Sequence, residues 1–494
     1  MKKFNNNNLM FIMILAIRLL SVYIVQTFFV PDEFWQSLEV SHKLTFGYGY
    51  WTWEWQKKIR SSVYPILISI FYSILPDFKT VIIHFPRILQ ALLSALGDYY
   101  TFKLASKLFG CHCGQWTVFN ICSSWFLFYC SPRTLTNMAE TSFTAIGLYL
   151  YPWKMKPNKK TSCKYLWFTG ASILMRPTAI VMWIALYAYH VWREKYIYHL
   201  FKNTFISGTI LFSFLIICDR WCYNQWTVTL YNFFLFNWSK DIGIFYGSHH
   251  FLWLLVVGLP VVLTTLIIPF VLGLTIRKLR PFYILVLWFI LIFSIPSHKE
   301  FRFLLPVMPV CMIITGVVMT EIANEKVQLY RLKISKNLSS YLAFSSILCN
   351  APLSIYMSVF HQRGTMDLMH HISHIATDDS KILFLMPCHS TPYYSHVHKN
   401  ISMKFLTCEP NFEDSVNYKD EADEFFQDPS KWLTSFYELD SKKIYPSHIA
   451  MFDSLYDQVS IFLERHRYYL CFRTFHSHIT ENKRGKYVLL YCKS

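Results

Sequence analysis

Charged residues are scarce in this chain, and their scarcity sets its class. Only 16% of the 494 residues are charged, whereas 53% are hydrophobic and 18% aromatic. A water-soluble globule of this composition would lack the polar side chains needed to cover its surface. Apolar runs approaching the roughly 20 residues that cross a bilayer as a helix recur along the sequence. The sequence therefore predicts a membrane protein with many spans.

Acidic residues are scarcer still, with 30 Asp and Glu against 47 Lys and Arg. No basic stripe or recognisable nucleic-acid-binding motif accompanies this excess, so we expect no nucleic-acid partner. The basic residues instead cluster between apolar runs, at residues 154–164, 193–202, 277–280 and 326–336. Under the positive-inside rule each of these segments is predicted to be a cytoplasmic loop.

Paired CxxC cysteines are absent among the thirteen cysteines, which argues against a structural zinc site. Four cysteines lie in the polar C-terminal part and can form disulfides if that part faces the lumen. They are Cys388, Cys408, Cys471 and Cys492. The spacing leaves their pairing open.

The predicted topology follows from the apolar runs and the charged loops. Residues 9–30 lack a small-residue cleavage site, so we interpret them as a retained first helix that delivers residues 31–62 to the lumen. About eleven spans within residues 1–360 then alternate in direction, which also places the loops 219–250 and 296–302 in the lumen. Residues 361–494 contain short mixed runs, such as 382–386 and 487–491, that are typical of strands, and they are predicted to form a small lumenal α/β domain.

One apolar run contains a break. Residues 165–191 carry Arg176 and Pro177 near their middle. Proline disfavours a helix interior and arginine is costly in lipid, so two short helices meeting at a lumenal turn are expected here.

Two adjacent carboxylates, Asp32 and Glu33, follow the first span directly. A carboxylate at this position can deprotonate a sugar hydroxyl, and an inverting transfer from a lipid phosphate needs only one such base, because the phosphate leaves as an anion. An ordinary solvated pair at the membrane surface is the alternative. Asp98, inside a span, is interpreted as one half of a buried ion pair with an arginine of a neighbouring helix.

The segment 297–303 (SHKEFRF) packs four ionisable residues into five positions between two apolar runs. Lys299 and Arg302 can neutralise a phosphate, Arg302 through two parallel hydrogen bonds, and His298 offers a further donor. The alternative is a loop anchored by long basic side chains that reach the membrane surface. Arg133 and Arg176, at predicted lumenal helix ends, are further phosphate candidates, or structural partners for Glu140 or Asp98.

Aromatic residues are concentrated in the first lumenal loop, where Trp35, Trp53 and Trp55 can stack on sugar faces. An interfacial aromatic belt would produce the same pattern. In the C-terminal part, residues 387–398 contain His389, Ser390, His396 and His398, which suggest a metal site or a Cys/His nucleophile, but no convergent set of carboxylates supports either.

Four segments together resemble a known family. Residues 29–40 (FVPDEFWQSLEV), 50–55 (YWTWEW), 59–65 (IRSSVYP) and 297–303 (SHKEFRF) are similar to the dolichyl-phosphate-mannose-dependent mannosyltransferases of the GT-C superfamily, in which HKE-x-RF is the strongest signature. Further segments at residues 133–137, 245–249, 361–365 and 387–398 are most similar to the members that extend the glycosylphosphatidylinositol (GPI) anchor precursor.

The resemblance implies a GT-C fold in the endoplasmic reticulum membrane. It implies transfer of the third, α1,2-linked mannose from dolichyl-phosphate-mannose to the GPI glycolipid precursor, with inversion and without a required metal or cofactor. The family pattern places the catalytic acid at Asp32, with Glu33 the weaker candidate, and the donor phosphate on His298, Lys299 and Arg302. Trp35, Trp53, Trp55 and Arg60 fall in matching motifs and are assigned to substrate binding.

Three other functions stay open at this point, one of which is a structural subunit of a larger membrane complex. A sister mannosyltransferase acting on the fourth GPI mannose or on a lipid-linked N-glycan precursor shares the HKE-x-RF element. A lipid-linked-sugar transporter would also have many spans and intramembrane polar residues. The sequons at Asn237 and Asn400 are predicted to be accessible to glycosylation, and that at Asn337 to be cytoplasmic.

Overall fold

The computed structural model describes residues 6–155, 160–239, 245, 247–325, 328–329, 332–333, 335–412, 418–438, 444–480 and 483–494. Parts of two predicted basic loops, and residues 240–244 and 246 of the 219–250 loop, lie outside these ranges. The chain divides into two compact units. The first contains Met1–Ile24, Lys58–Leu67 and His84–Ile355, and the second contains Val25–Lys57, Ile68–Ile83 and Tyr356–Ser494.

The first half of the chain is helical. Its α-helices are α1 (Asn6–Ile24), α2 (Glu39–Phe46), α3 (Trp53–Gln56), α4 (Val63–Ile74), α5 (Lys79–Phe109), α6 (Cys111–Ser123), α7 (Trp125–Cys130), α8 (Thr136–Leu150), α9 (Tyr165–Met175), α10 (Ile180–Arg193), α11 (Ile197–Tyr223) and α12 (Thr229–Ser239). The helical structure continues with α13 (Leu259–Leu263), α14 (Ile267–Leu272), α15 (Arg280–Ser294), α16 (Met308–Ala323) and α17 (Asn337–Val359). Short 3₁₀ segments include Pro177–Ala179 and Phe301–Val307.

Six helical stretches in the described part of the chain are long and apolar enough to cross a membrane. They are Asn7–Ile24, Lys79–Phe109, Ile197–Tyr223, Leu254–Thr275, Phe301–Ala323 and Asn337–Ile375. The polytopic helical class is thereby confirmed, whereas the number of eleven spans stays a prediction. Several remaining helices are shorter than a full crossing, since at about 1.5 Å per residue a helix of 15 residues covers only about 22 Å.

The expected break at Arg176 and Pro177 is present. Helix α9 ends at Met175, Arg176 is extended with φ −148° and ψ 124°, and a 3₁₀ turn beginning at Pro177 leads into α10. Because the residue before a proline is pushed out of the helical region, the chain must stop one helix here and begin another. This local rule explains why the break was visible in the sequence.

Helix α16 forms the centre of the first unit, and nearly all of its residues are buried. It packs against α6, where Gly316 lies so close to Thr117 that a Cβ at this glycine would overlap the Thr117 backbone. Asn120 of α6 donates to the Thr315 hydroxyl at 2.9 Å. Small residues and polar bonds of this kind are typical of helix packing in membranes.

The C-terminal part contains the predicted sheet. The helices are α18 (Gly364–Ile375), α19 (Tyr394–Val397), α20 (Glu421–Gln427), α21 (Pro429–Leu433) and α22 (Tyr456–Arg465). The strands of the sheet are β3 (Lys381–Leu385), β4 (Ser402–Phe405), β5 (His448–Phe452), β6 (Tyr468–Phe475) and β7 (Tyr487–Lys493), which follow a two-residue pair, β1 (Gln328–Leu329) and β2 (Leu332–Lys333). The order across the sheet is β4-β3-β5-β7-β6, with β3 parallel to β4 and β5 and the other pairs antiparallel.

Two disulfides stabilise this part of the chain. Cys388 pairs with Cys408, and Cys471 pairs with Cys492, with Cα atoms 5.9 and 5.8 Å apart. The second disulfide joins β6 to β7, and the first joins the segment after β3 to the segment after β4. The four cysteines noted in the sequence therefore supply both bonds. Their pairing was left open by the sequence and is a finding of the structure.

Candidate active site

Asp32 and Glu33 stand at the beginning of a helical run that covers residues 32–46. The Pro31 carbonyl accepts bonds from the backbone N–H groups of Phe34 and Trp35, which start this run. Residues Phe34–Leu38 form a wide π-helical turn, a rare form that is frequent at functional sites. Asp32 is half-buried, whereas Glu33 is only 3% exposed. Of the two carboxylates, Asp32 is therefore the one with access to a reactant.

His389 lies within electrostatic reach of Asp32. Burial lowers the pKa of His389 to about 4, although the negative charge of Asp32 acts in the opposite direction. His389 is thus neutral near pH 7 and does not form a charged pair with Asp32. The ring of His389 contacts Trp35 and Phe405, with centroids 4.6 and 5.3 Å away.

The tryptophans of the first loop are mostly enclosed. Trp35 is 4% exposed, Trp53 6% and Trp55 1%. The indole of Trp35 packs against Tyr393 and Phe405, with ring centroids 5.2 and 5.0 Å away. Packing therefore accounts for the position of these rings, and their stacking on a sugar stays a prediction.

A buried carboxylate that the sequence did not single out, Asp219, holds the segment around Arg60. Asp219 accepts bonds from the Ser62 backbone N–H at 3.2 Å, the Ser62 hydroxyl at 2.6 Å and the Thr229 hydroxyl at 2.6 Å. The Tyr223 hydroxyl donates to the carbonyl of Arg60 at 2.7 Å. The backbone of the 59–65 motif is thus fixed from the end of α11 and the start of α12.

Residues 297–303 contain a compact ionic group. The Arg302 guanidinium binds both oxygens of Glu300, through Nε at 2.7 Å and Nη2 at 2.5 Å, and His298 Nε2 lies 2.9 Å from the same carboxylate. Burial alone would raise the pKa of Glu300, but the charge of Arg302 and the bonds from His298 and Arg302 hold it well below its ordinary range. Glu300 is therefore ionised, and it fixes the orientation of Arg302.

Lys299 of the same segment binds backbone carbonyls with its ammonium. It is 2% exposed, and its ammonium donates to the carbonyls of Pro296 at 2.8 Å and His249 at 3.1 Å. A buried ammonium is costly unless it is bonded, and here backbone carbonyls supply the partners. In this structure Lys299 therefore ties two loop segments together.

Arg176 and Arg133, the two further phosphate candidates, both have protein partners. Arg176 donates to the Asn137 side chain at 2.5 Å and lies 3.5 Å from Glu140. Asn137 in turn donates to the Arg302 carbonyl at 3.4 Å, so Arg176 and the 297–303 segment are linked through one side chain. Arg133 is 1% exposed, with its guanidinium 4.1 Å from the centre of the Tyr129 ring.

Asp98 has the role that the sequence indicated. Its carboxylate forms a buried ion pair with Arg18 of α1, with Nε 2.6 Å from Oδ2. The prediction of a structural pair with an arginine on a neighbouring helix is thus confirmed. The alternative that Arg133 or Arg176 pairs with Asp98 was wrong, whereas the predicted structural pairing of Arg176 with Glu140 is confirmed.

One group of potential metal ligands includes a histidine of residues 387–398. Within the described ranges, one group of three potential ligands lies close together, and it consists of Cys388, His389 and Cys408. Two of these three are joined in a disulfide, so neither offers a thiolate to a metal or acts as a nucleophile.

Comparison with known proteins agrees with this architecture. Residues 9–398 match the model of the Alg9-like mannosyltransferase family. The chain is 39% identical to GPI mannosyltransferase 3 of Drosophila melanogaster, over 95% of this chain and 84% of that one. It is 38% identical to GPI alpha-1,2-mannosyltransferase 3 of Bos taurus and 37% identical to that of Homo sapiens, each over 97% of this chain and 88% and 85% of the relative.

Among solved structures, ArnT from Cupriavidus metallidurans bound to undecaprenyl phosphate shares the fold, with a TM-score of 0.61 over 98% of this chain and 97% of that chain. At 13% sequence identity this likeness concerns the fold alone. The family match covers most of the chain and includes the motifs described above. The chain belongs to the Alg9-like mannosyltransferase family.

Proposed function

We propose that this protein transfers the third mannose of the GPI anchor from dolichyl-phosphate-mannose to the GPI precursor, in an α1,2 linkage, on the lumenal side of the endoplasmic reticulum membrane. The observation that carries this proposal is the identity of 37–39% to relatives named GPI mannosyltransferase 3, along at least 95% of the chain. The motifs that prompted the same hypothesis lie in both compact units.

In this proposal Asp32 is the general base. Its carboxylate takes the proton of the acceptor 2-hydroxyl while the hydroxyl oxygen attacks the anomeric carbon of the donor. The bond from that carbon to the phosphate oxygen breaks, dolichyl phosphate leaves as an anion, and the configuration inverts. The partial exposure of Asp32 supports this role, and the burial of Glu33 makes it the weaker candidate.

Arg302 and His298 stabilise the leaving phosphate in this mechanism, and Lys299, Arg133 and Arg176 are secondary candidates. Glu300 binds one edge of the Arg302 guanidinium and so fixes its orientation. A guanidinium whose orientation is set before the donor arrives loses little conformational freedom when it binds a phosphate through two parallel hydrogen bonds. Arg302→Lys removes the fork but keeps the charge, so it should weaken donor use more than folding.

The decisive experiment is reconstitution of the purified protein with dolichyl-phosphate-mannose and a two-mannose GPI intermediate. The expected result is one added mannose with an α1,2 linkage. Asp32→Asn should abolish the transfer, while Glu33→Gln should retain more of it. Transfer only to a three-mannose or N-glycan precursor would identify a sister enzyme, and lipid movement that survives Asp32→Asn would identify a transporter.

The lumenal placement has its own test. Asn400 is exposed and should carry a glycan in cells, as should Asn237, whose side chain lies outside the described residues. Asn337 should carry none. A glycan on Asn337 would reverse the proposed topology, because it would place a predicted cytoplasmic loop in the lumen.

A further inference from the structure

Glu39, a fully buried residue that follows Asp32 by seven positions, connects the first loop to residues 387–398. Its carboxylate accepts bonds from the Tyr393 backbone N–H at 2.9 Å, the Ser395 backbone N–H at 3.2 Å and the Ser395 hydroxyl at 2.5 Å. Burial of a carboxylate is costly unless several donors compensate for the lost water. This site supplies three donors from one short segment.

Two more contacts join the same partners. The Trp35 indole N–H donates to the Thr391 carbonyl at 3.0 Å. His42 Nε2 lies 3.0 Å from His398 Nδ1. Trp35, Glu39 and His42 follow one another at spacings of four and three residues, so they share one face of the helical run 32–46. Residues 387–398 therefore lie along that face.

Asp32 stands at the beginning of the same helical run, and its charge is felt by His389 of the same segment. The wide turn Phe34–Leu38 lies between Asp32 and Glu39. Turns of this π-helical kind are rare, and unusual local conformations persist where the surrounding structure holds them. Here Trp35 within the turn and Glu39 directly after it are both held by residues 387–398.

Residues 387–398 are themselves anchored. The disulfide Cys388–Cys408 attaches their beginning to the segment after β4. At their end, His398 adopts φ 50° and its Nε2 lies 2.7 Å from Asp77. A segment fastened at both ends is a rigid partner for the helix that it contacts.

We propose that residues 387–398 act as a positioning element of the transferase site, in which Glu39 is the positioning residue that sets the placement of Asp32. The inference rests on the proposed role of Asp32 as the base. It gives the C-terminal domain a function in the reaction without placing any of its residues on the substrate.

The test compares two acidic residues in one unit. Glu39→Ala removes three accepted bonds to residues 387–398. Glu421→Ala is the matched control, because Glu421 also accepts three bonds, from the Thr407 N–H, the Thr407 hydroxyl and Lys404, all within the C-terminal domain. The measurements are kcat and KM for dolichyl-phosphate-mannose with the full-length protein in lipid.

The expected result for Glu39→Ala is a loss in kcat on the order of 10²-fold with a nearly unchanged donor KM. The reason is that a displacement of the catalytic Asp32 carboxylate by about 1 Å should lower kcat by about that factor. Glu39→Gln keeps one acceptor oxygen and should restore kcat to within about tenfold of the parent. Glu421→Ala should leave kcat close to the parent value. If Glu39→Ala does not fold, Ser395→Ala, which removes the hydroxyl that donates to Glu39, should still lower kcat.

Equal losses of kcat in Glu39→Ala and Glu421→Ala would overturn the proposal, because the contacts would then be merely structural. An unchanged kcat in Glu39→Ala would overturn it as well. Asp32→Asn separates this failure from that of the proposed function. Full activity in Asp32→Asn refutes the base, whereas loss in Asp32→Asn with no effect of Glu39→Ala refutes only the positioning element.

Discussion

Substitution of Asp219 offers a sharp stability test of the first unit, because three hydrogen bonds to its carboxylate have known donors. The residue is fully buried and accepts two bonds from Ser62 and one from Thr229. Asp219→Ala leaves three buried donors without an acceptor. Each such donor costs about 1–3 kcal/mol, so the summed loss in the free energy of unfolding should be about 3–9 kcal/mol.

Asp219→Asn should lower the free energy of unfolding much less than Asp219→Ala. The amide oxygen can still accept both bonds from Ser62, and the amide nitrogen can donate to the Thr229 hydroxyl, which turns to accept. What is lost is the extra strength of bonds to a charged acceptor, about 1 kcal/mol. Stability should therefore fall in the order parent, Asn variant, Ala variant.

The assay is thermal unfolding of the purified protein in detergent, followed by transfer activity at a temperature where each variant is folded. Ser207→Ala in the same helix is the control, because the Ser207 hydroxyl bonds only within α11, to the Asn203 carbonyl at 2.8 Å. Equal destabilisation by Asp219→Asn and Asp219→Ala would refute the reasoning, since charge and not the number of acceptors would then dominate.

Three further predictions concern other buried groups. Asp98→Ala leaves the Arg18 guanidinium buried without its carboxylate and should lower the free energy of unfolding by about 3–5 kcal/mol; thermal unfolding measures this, and replacing Arg18 by Met in addition should recover part of the loss. Cys471→Ser opens the bond to Cys492, which is 21 residues away, and should cost about 3 kcal/mol; an unfolding temperature of the variant equal to that of the parent under non-reducing conditions would contradict this. Burial raises the pKa of Glu39 from 4.5 to about 7, so its contribution to stability is complete below about pH 4.5 and is lost as pH rises through 7; Glu39→Gln should flatten the pH dependence of the unfolding temperature between these values, and an identical profile would disprove the assignment.

Features that depend on neighbouring residues could be predicted from the sequence. The helix break at Arg176 follows from the proline after it, and the membrane class follows from apolar runs of spanning length. The strands at residues 382–386 and 487–491 were expected and are observed as β3 and β7 with slightly different ends. Each of these inferences needs only a window of about 20 residues.

The ion pair of Asp98 marks the limit of such inference. An isolated acid inside an apolar helix is costly, so the need for a cation could be predicted from the residue alone. Its identity could not, because Arg18 is 80 positions away and Arg133 and Arg176 were equally available in the sequence. Only the packing of α1 against α5 decides between these arginines.

Glu39 shows why the most informative contacts of the site were missed. In the sequence it is one more acid in an aromatic segment, and its position on a helix was not expected because residues 31–62 were predicted to be a loop. Its three donors come from residues 354 and 356 positions away. A buried carboxylate needs hydrogen-bond donors to compensate for the lost water, and here these donors come from residues that are distant in the sequence. They can therefore be identified only in the folded chain. The histidines of residues 387–398 were considered as metal ligands or as part of a nucleophile. The contacts with the first loop instead include the backbone N–H groups of Tyr393 and Ser395, which donate to Glu39.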